Sequence, residues 1–307
     1  MRGVLRGRAL AVYLFCCAVW GSTWLVIKVG LADLPPLLFA GARMGIACLL
    51  LVPFAFRRAR PTLEEGRWIA VAGFLQIGIS YALVFTASQW IPSGLAALLF
   101  GSFPIWVGLF AHWQLPDEPL TGRALLAAGM GLAGVAVIEV PDLTGVFARR
   151  AGSVAAGGAL MLAAAVVSAG SNVIVKKRLG RVAPAVNVWG QTLVGSLFLL
   201  GSAALLEAGK PVRWTPRAWG AVLYLAVLGT ALTFAGLFWL VKRVPVAVIG
   251  TIPLVDTLLA VLLGAAILGE KLPVPVFAGG ALILAGVFLV STGRVGRAAR
   301  QSADGYP

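Results

Sequence analysis

The chain has 307 residues, 60% of them hydrophobic and 12% charged. Soluble domains carry about twice that charged fraction, so a soluble fold is excluded: there are too few polar side chains to cover this much apolar surface. The net charge of +14 does not mark a nucleic-acid binder, because the basic residues form short clusters between apolar runs, the pattern of membrane topology.

A bilayer-spanning helix needs about 20 mostly apolar residues. Runs at 9–28, 35–56, 67–88, 93–113, 121–140, 152–175, 185–206, 216–240, 246–268 and 274–292 meet this need. They are too long and too continuously apolar for barrel strands. The first run follows Arg2, Arg6 and Arg8 as in a signal peptide. It has no small-x-small cleavage site and continues through Trp20 and Trp24, so it is expected to stay as a span. Pro35-Pro36, Pro92, Pro184, Pro216 and Pro273 punctuate the span ends. The tail after Arg294 is polar and predicted to be disordered.

The chain repeats itself. Glu118-Pro119-Leu120 and Leu132-Ala133-Gly134-Val135 return 152 positions later as Glu270-Lys271-Leu272 and Leu284-Ala285-Gly286-Val287. Gly21-Ser22, Gly101 and Pro104 return 149 positions later as Gly170-Ser171, Gly250 and Pro253. Five spans per half is an odd number, so the second half enters the membrane from the opposite side. The expected fold is an all-α integral membrane protein of ten transmembrane helices, a 5+5 inverted repeat around a central cavity. The expected division is 1–150, 151–293 and a polar tail at 294–307. Of the 25 Lys and Arg residues, 17 fall on the side of the N-terminus, seven on the other, and Arg43 within a span. This bias predicts both termini in the cytoplasm, as for a bacterial inner-membrane protein. A duplicated scaffold without transport is the alternative.

Arg43 in span 2 and Asp256 in span 9 each cost about 2.5–3.5 kcal/mol at a helix centre, so both should face protein or water. Arg43 would attract a substrate carboxylate and Asp256 an amine or a proton; the alternative is that they pair with each other, or with freed carbonyls, as structure. Lys28, Glu139 and Glu207 lie near span ends, where they can snorkel. Pro104 and Pro253 interrupt corresponding spans, the best sequence pointer to a transport site. Gln76 and Ser80, with Tyr81 beside them, share a face of span 3. Ser168 and Asn172 share a face of span 6, and Thr230 and Thr233 a face of span 8. Such residues line a cavity or join helices. Trp68, Trp90, Trp113, Trp214 and Trp219 fit an interfacial belt. Trp20, Trp106, Trp189 and Trp239 lie deeper and either pack or stack on substrate. Gly131, Gly134 and Gly286 allow close approach of spans 5 and 10, which are expected on the periphery. Cys16, Cys17 and Cys48 are expected as free intramembrane thiols. No phosphate loop, H-E-x-x-H or serine-nucleophile motif is present. Neither an enzyme nor a cofactor or metal site is expected.

In their order and duplication these motifs resemble the drug/metabolite transporter superfamily, in particular its EamA branch. Trp20-Gly21-Ser22-Thr23 resembles the opening motif and Arg43 the arginine of span 2. Pro104 and Pro253 resemble the prolines of each fourth span, and Leu268-Gly269-Glu270-Lys271-Leu272 the closing motif. Pro116-Asp117 departs from the closing motif in the first half. The resemblance implies a cavity lined mainly by spans 1, 3, 4, 6, 8 and 9 and export of small metabolites, often amino acids. Within the family the chain is most similar to aromatic amino-acid exporters of the YddG type. The candidate substrate-binding residues are Trp20, Arg43, Gln76, Ser80, Tyr81, Trp106, Ser168, Asn172, Thr233 and Asp256. Expected partners are a small-molecule substrate and the bilayer, with no nucleic acid; a monomer suffices. Nucleotide sugars or cationic drugs are alternative substrates, and a membrane-embedded enzyme or scaffold is the alternative outside transport.

Overall fold

The computed structural model describes residues 7–114, 122–143, 151–241, 243–244, 252–270 and 273–303. Within them the chain is helical, and no strand occurs among the described residues. Helices α1 (Arg8–Gly30) and α2 (Pro36–Ala55) are joined by a short turn. Helix α3 (Leu63–Gly73) passes without a break through a π-helical segment, π1 (Phe74–Ile79), into α4 (Ser80–Ala87). Helices α5 (Ser93–Phe100) and α6 (Phe103–Gln114) form one broken rod. Then come α7 (Gly122–Leu143), α8 (Ala151–Arg178) and α9 (Pro184–Leu206). Helix α10 (Pro216–Leu223) runs through π2 (Tyr224–Leu232) into α11 (Thr233–Val241). The chain ends in α12 (Ile252–Leu268) and α13 (Val274–Ala303).

Among the described residues, seven helical stretches are long and apolar enough to cross a membrane, and 255–268 and 274–286 are shorter apolar helices. Leu49, Leu205 and Val274 are among many large apolar side chains left facing outward, a surface that only lipid covers comfortably. Start signals are local. Proline sits at the first turn of α2, α9 and α10, where its missing N–H costs nothing. Thr62 and Glu65 form a capping box that begins α3 four residues before the run predicted from hydropathy. The predicted disordered tail is corrected in part: α13 continues to Ala303, through Ala298 and Ala299, which favour helix.

Small residues set the packing. A Cβ on Gly134 would lie 2.5 Å from the Gly279 carbonyl oxygen, and one on Gly286 2.7 Å from that of Ala127, so α7 and α13 meet backbone to backbone. Gly73 brings α3 equally close to Gln191 of α9, and Gly21 brings α1 close to the Asp256 backbone of α12. The largest buried cluster, including Phe39, Met44, Phe85, Leu99, Met161 and Leu199, ties α2, α4, α5, α8 and α9 together.

Candidate functional site

The two π segments begin 150 positions apart, in corresponding rods of the two halves. A π turn is rare and often marks a functional site. Here each carries polar groups inward. In π2 the Thr230 hydroxyl donates to the Leu225 carbonyl at 3.0 Å, and at the first residue of α11 the Thr233 hydroxyl donates to that of Leu228. Both carbonyls lie five residues back, as the wider turn dictates.

Arg43 reaches π2 from α2. Its Nη2 donates to the Thr230 hydroxyl at 3.1 Å, and its guanidinium lies 5.3 Å from the Tyr81 ring centroid and 5.8 Å from that of Phe85. The residue is 3% exposed, and its buried Nε has no hydrogen-bond partner among the described residues. Trp20 reaches the same turn from α1, where its Nε1 donates to the Gly229 carbonyl at 3.3 Å. Ser22 and Tyr224 share a 2.6 Å hydrogen bond beside it. Arg43, Tyr81, Trp20 and Thr230 therefore converge from α2, α4, α1 and π2. Arg43 and Asp256 are not paired: the Asp256 carboxylate accepts from the Thr257 hydroxyl at 3.4 Å and has no basic partner among the described residues.

A second polar group lies between π1 and α8. Gln76 Nε2 donates to the Ser168 hydroxyl at 2.8 Å, and Asn172 Nδ2 donates to Gln76 Oε1 at 3.0 Å. Ser80 is fully buried and donates to the Ala164 carbonyl at 3.0 Å, one helical turn from Ser168. Ser80 thus joins helices, whereas Asn172 remains exposed on α8. Trp106 Nε1 donates to the Ser102 hydroxyl at 3.1 Å, spanning the break before α6. Thr233 is buried, and its carbonyl accepts from Cys16 Sγ at 3.8 Å. Cys16, Cys17 and Cys48 are free and buried.

The break at Gly101-Ser102 separates α5 from α6, with Pro104 at the second position of α6. Its counterpart Pro253 is the second residue of α12, and Gly250-Thr251 lie outside the described residues. Pro116-Asp117, Glu118 and the side chain of Glu139 also lie outside them. Trp90, Trp113, Trp214 and Trp219 are exposed near helix ends, while Trp68 is half-buried with Arg178 stacked 4.9 Å from its ring centroid. An open cleft of about 440 Å³ lies elsewhere, between α1 and α11, lined by Arg8, Val12, Gly236 and Trp239 among others. It contains none of the candidate residues.

Two expectations are corrected. Lys28 and Glu207 do not snorkel: Lys28 Nζ donates to the Ser88 and Ile91 carbonyls, both at 2.8 Å. Glu207, 6% exposed, accepts the Leu37 and Leu38 N–H groups at 3.1 and 2.9 Å, capping α2 from α9. Glu270 of the repeated motif caps α5 from the connection after α12. Sequence reasoning passed over Tyr224, Phe85 and the π turns, and took Ser22 only as part of a motif.

The EamA-like transporter family model matches residues 7–140 and again 155–292, so the chain belongs to the EamA-like transporter family. The class is therefore that of a multi-pass membrane transporter. Among its relatives is a probable amino-acid metabolite efflux pump of Salmonella typhimurium, 30% identical, the match covering 94% of this chain and 97% of the relative. YvbV of Bacillus subtilis, named only as a transporter, is 29% identical over 95% of this chain and 94% of its own length. YedA of Escherichia coli, named as an inner membrane transporter, is 27% identical over 94% of this chain and 91% of its own length. One crystal structure superposes with a TM-score of 0.62 at 23% identity, over 95% of this chain and 99% of that one; it speaks to the fold alone.

Proposed function

We propose that this chain is a secondary transporter that exports amino acids, aromatic ones favoured, and related small metabolites across the inner membrane by alternating access. In this reading ten transmembrane helices form a 5+5 inverted repeat around a central cavity, with both termini cytoplasmic. The Arg43 arrangement carries it. A buried guanidinium with no acidic partner among the described residues, one hydroxyl contact, an unpartnered Nε and two aromatic neighbours is suited to a carboxylate carried on an apolar or aromatic body. Trp20, Tyr81 and Trp106 supply apolar faces for that body, and Gln76, Ser168 and Asn172 polar contacts. Ser80 and Thr233 support the helices behind them. Asp256 is the candidate for the amine or for a coupling proton. The efflux-pump name borne by a relative at 30% identity points the same way.

The test is flux into proteoliposomes across a panel of amino acids, nucleotide sugars and organic cations. Flux of amino acids with a free carboxylate is expected, and flux of organic cations alone would sink the reading. Arg43→Ala should raise KM by about tenfold to a hundredfold, the loss of one or two charge-assisted hydrogen bonds, at unchanged folded yield. Collapse of the yield instead assigns Arg43 to structure.

A further inference from the structure

We propose that Glu270 is a positioning residue for transport: together with Asp33 it latches the cavity shut on the face formed by residues 31–35, 88–94, 207–217 and 269–270. The latch rests on the alternating-access reading above. Gly269, at φ 63°, turns the chain at the end of α12. The Glu270 N–H then bonds back to the Gly264 carbonyl at 3.1 Å. Its carboxylate is thereby aimed at the first turn of α5. Oε1 accepts the Ser93 N–H at 2.8 Å, and Oε2 accepts the Ser93 hydroxyl at 2.9 Å and the Gly94 N–H at 3.2 Å. The carboxylate fills the room that Gly264 leaves, since a Cβ on Gly264 would overlap Oε2 and lie 2.7 Å from Ser93 Oγ. Leu268-Gly269-Glu270 is thus a helix stop followed by a cap for a helix of the other half.

Beside it, Lys28 ties the end of α1 to the Ser88 and Ile91 carbonyls just before α5. The second clamp is at Asp33, between α1 and α2. Its carboxylate accepts Arg217 Nε and Nη2, each at 2.8 Å, and the Thr215 hydroxyl at 2.8 Å. The Arg213 N–H donates to its carbonyl at 3.0 Å. Glu207 capping α2 is a third tie. The Glu270, Asp33 and Glu207 ties each join a segment of the first half to one of the second, and all lie at the same helix ends.

Helix α5 runs from the Glu270 anchor to the Gly101-Ser102 break, beyond which α6 carries Trp106. Opening this face requires α5 to leave α12, and the carboxylate then releases its three donors together. A charged cap that is fully made or fully lost suits a two-state gate.

The experiment reads side-specific accessibility and needs no substrate. Phe103→Cys, just past the break, reports the cavity, and Val212→Cys in the α9–α10 connection identifies the side carrying the latch. An impermeant maleimide is applied to each side of the membrane separately. In the otherwise unaltered chain, Phe103→Cys should label slowly from the Val212 side. Adding Glu270→Ala should raise that rate by about tenfold, and Asp33→Asn should raise it further, as lost charged contacts shift the population. Gly264→Ala, which crowds the same carboxylate, should act alike and serves if Glu270→Ala does not accumulate. Unchanged side preference in monodisperse variants, or lower thermal stability without a change of side, overturns the latch. Labelling as expected in a chain that moves no amino acid overturns the transport assignment and leaves the latch standing.

Discussion

At the residue scale, Asp33 shows how a short connection becomes a structural joint. The Arg217 guanidinium and the Thr215 hydroxyl hold its carboxyl down at about 2, below its ordinary value of 3.8. A folded value below the unfolded one means the contribution is complete above about pH 4 and is lost as pH falls toward 2. The melting temperature of the detergent-solubilised protein should therefore exceed that of Asp33→Asn at neutral pH, and the difference should vanish near pH 2. A difference that persists there would contradict the ion pair. Asp256 has no such partner among the described residues, and an intramembrane acid without a counterion is suited to take up a proton. Asp256→Asn is expected to abolish the response of flux to an imposed pH gradient while exchange at equal pH continues. A response that survives the substitution removes Asp256 from coupling.

At the scale of elements, glycine decides which helices touch by backbone. Gly286→Val should push α13 off the Ala127 carbonyl and cost about 1–3 kcal/mol, as overpacking does. Gly129→Val on α7 meets open space and should have little effect. Equal loss from both, measured by thermal unfolding in detergent, would show that α7 and α13 do not meet as described. The π segments matter at the same scale. Each extra residue in the turn re-aims the side chains that follow, which is how Thr230 meets Arg43 and Gln76 meets Ser168 within rods otherwise devoted to apolar packing.

At the scale of the whole molecule, the proposed inverted repeat and the distribution of positive charge together predict one topology. A reporter fused at the C-terminus should be active only in its cytoplasmic form, and one inserted in the 207–215 connection only in its external form. The reverse pattern would overturn the inverted arrangement. The same experiment fixes which side the latch faces.

The sequence by itself determined that the chain is helical, that it belongs in a membrane, where most of its described helices lie, the extension of α13 to Ala303 being the exception, and which family it joins. These follow from composition and from the order of motifs, and lipid leaves a chain little other choice. It also singled out Arg43 and the Gln76, Ser168 and Asn172 group, because polar atoms in apolar runs are conspicuous. Only the tertiary structure decided their partners. Arg43 meets Thr230 rather than Asp256, Ser80 holds a helix, and Lys28, Glu207 and Glu270 cap or tie helix ends distant in sequence. The physical reason is that a helix end exposes N–H or C=O groups whatever its residues are. Which charged side chain arrives to satisfy them depends on helices brought together across 60 to 177 residues of chain.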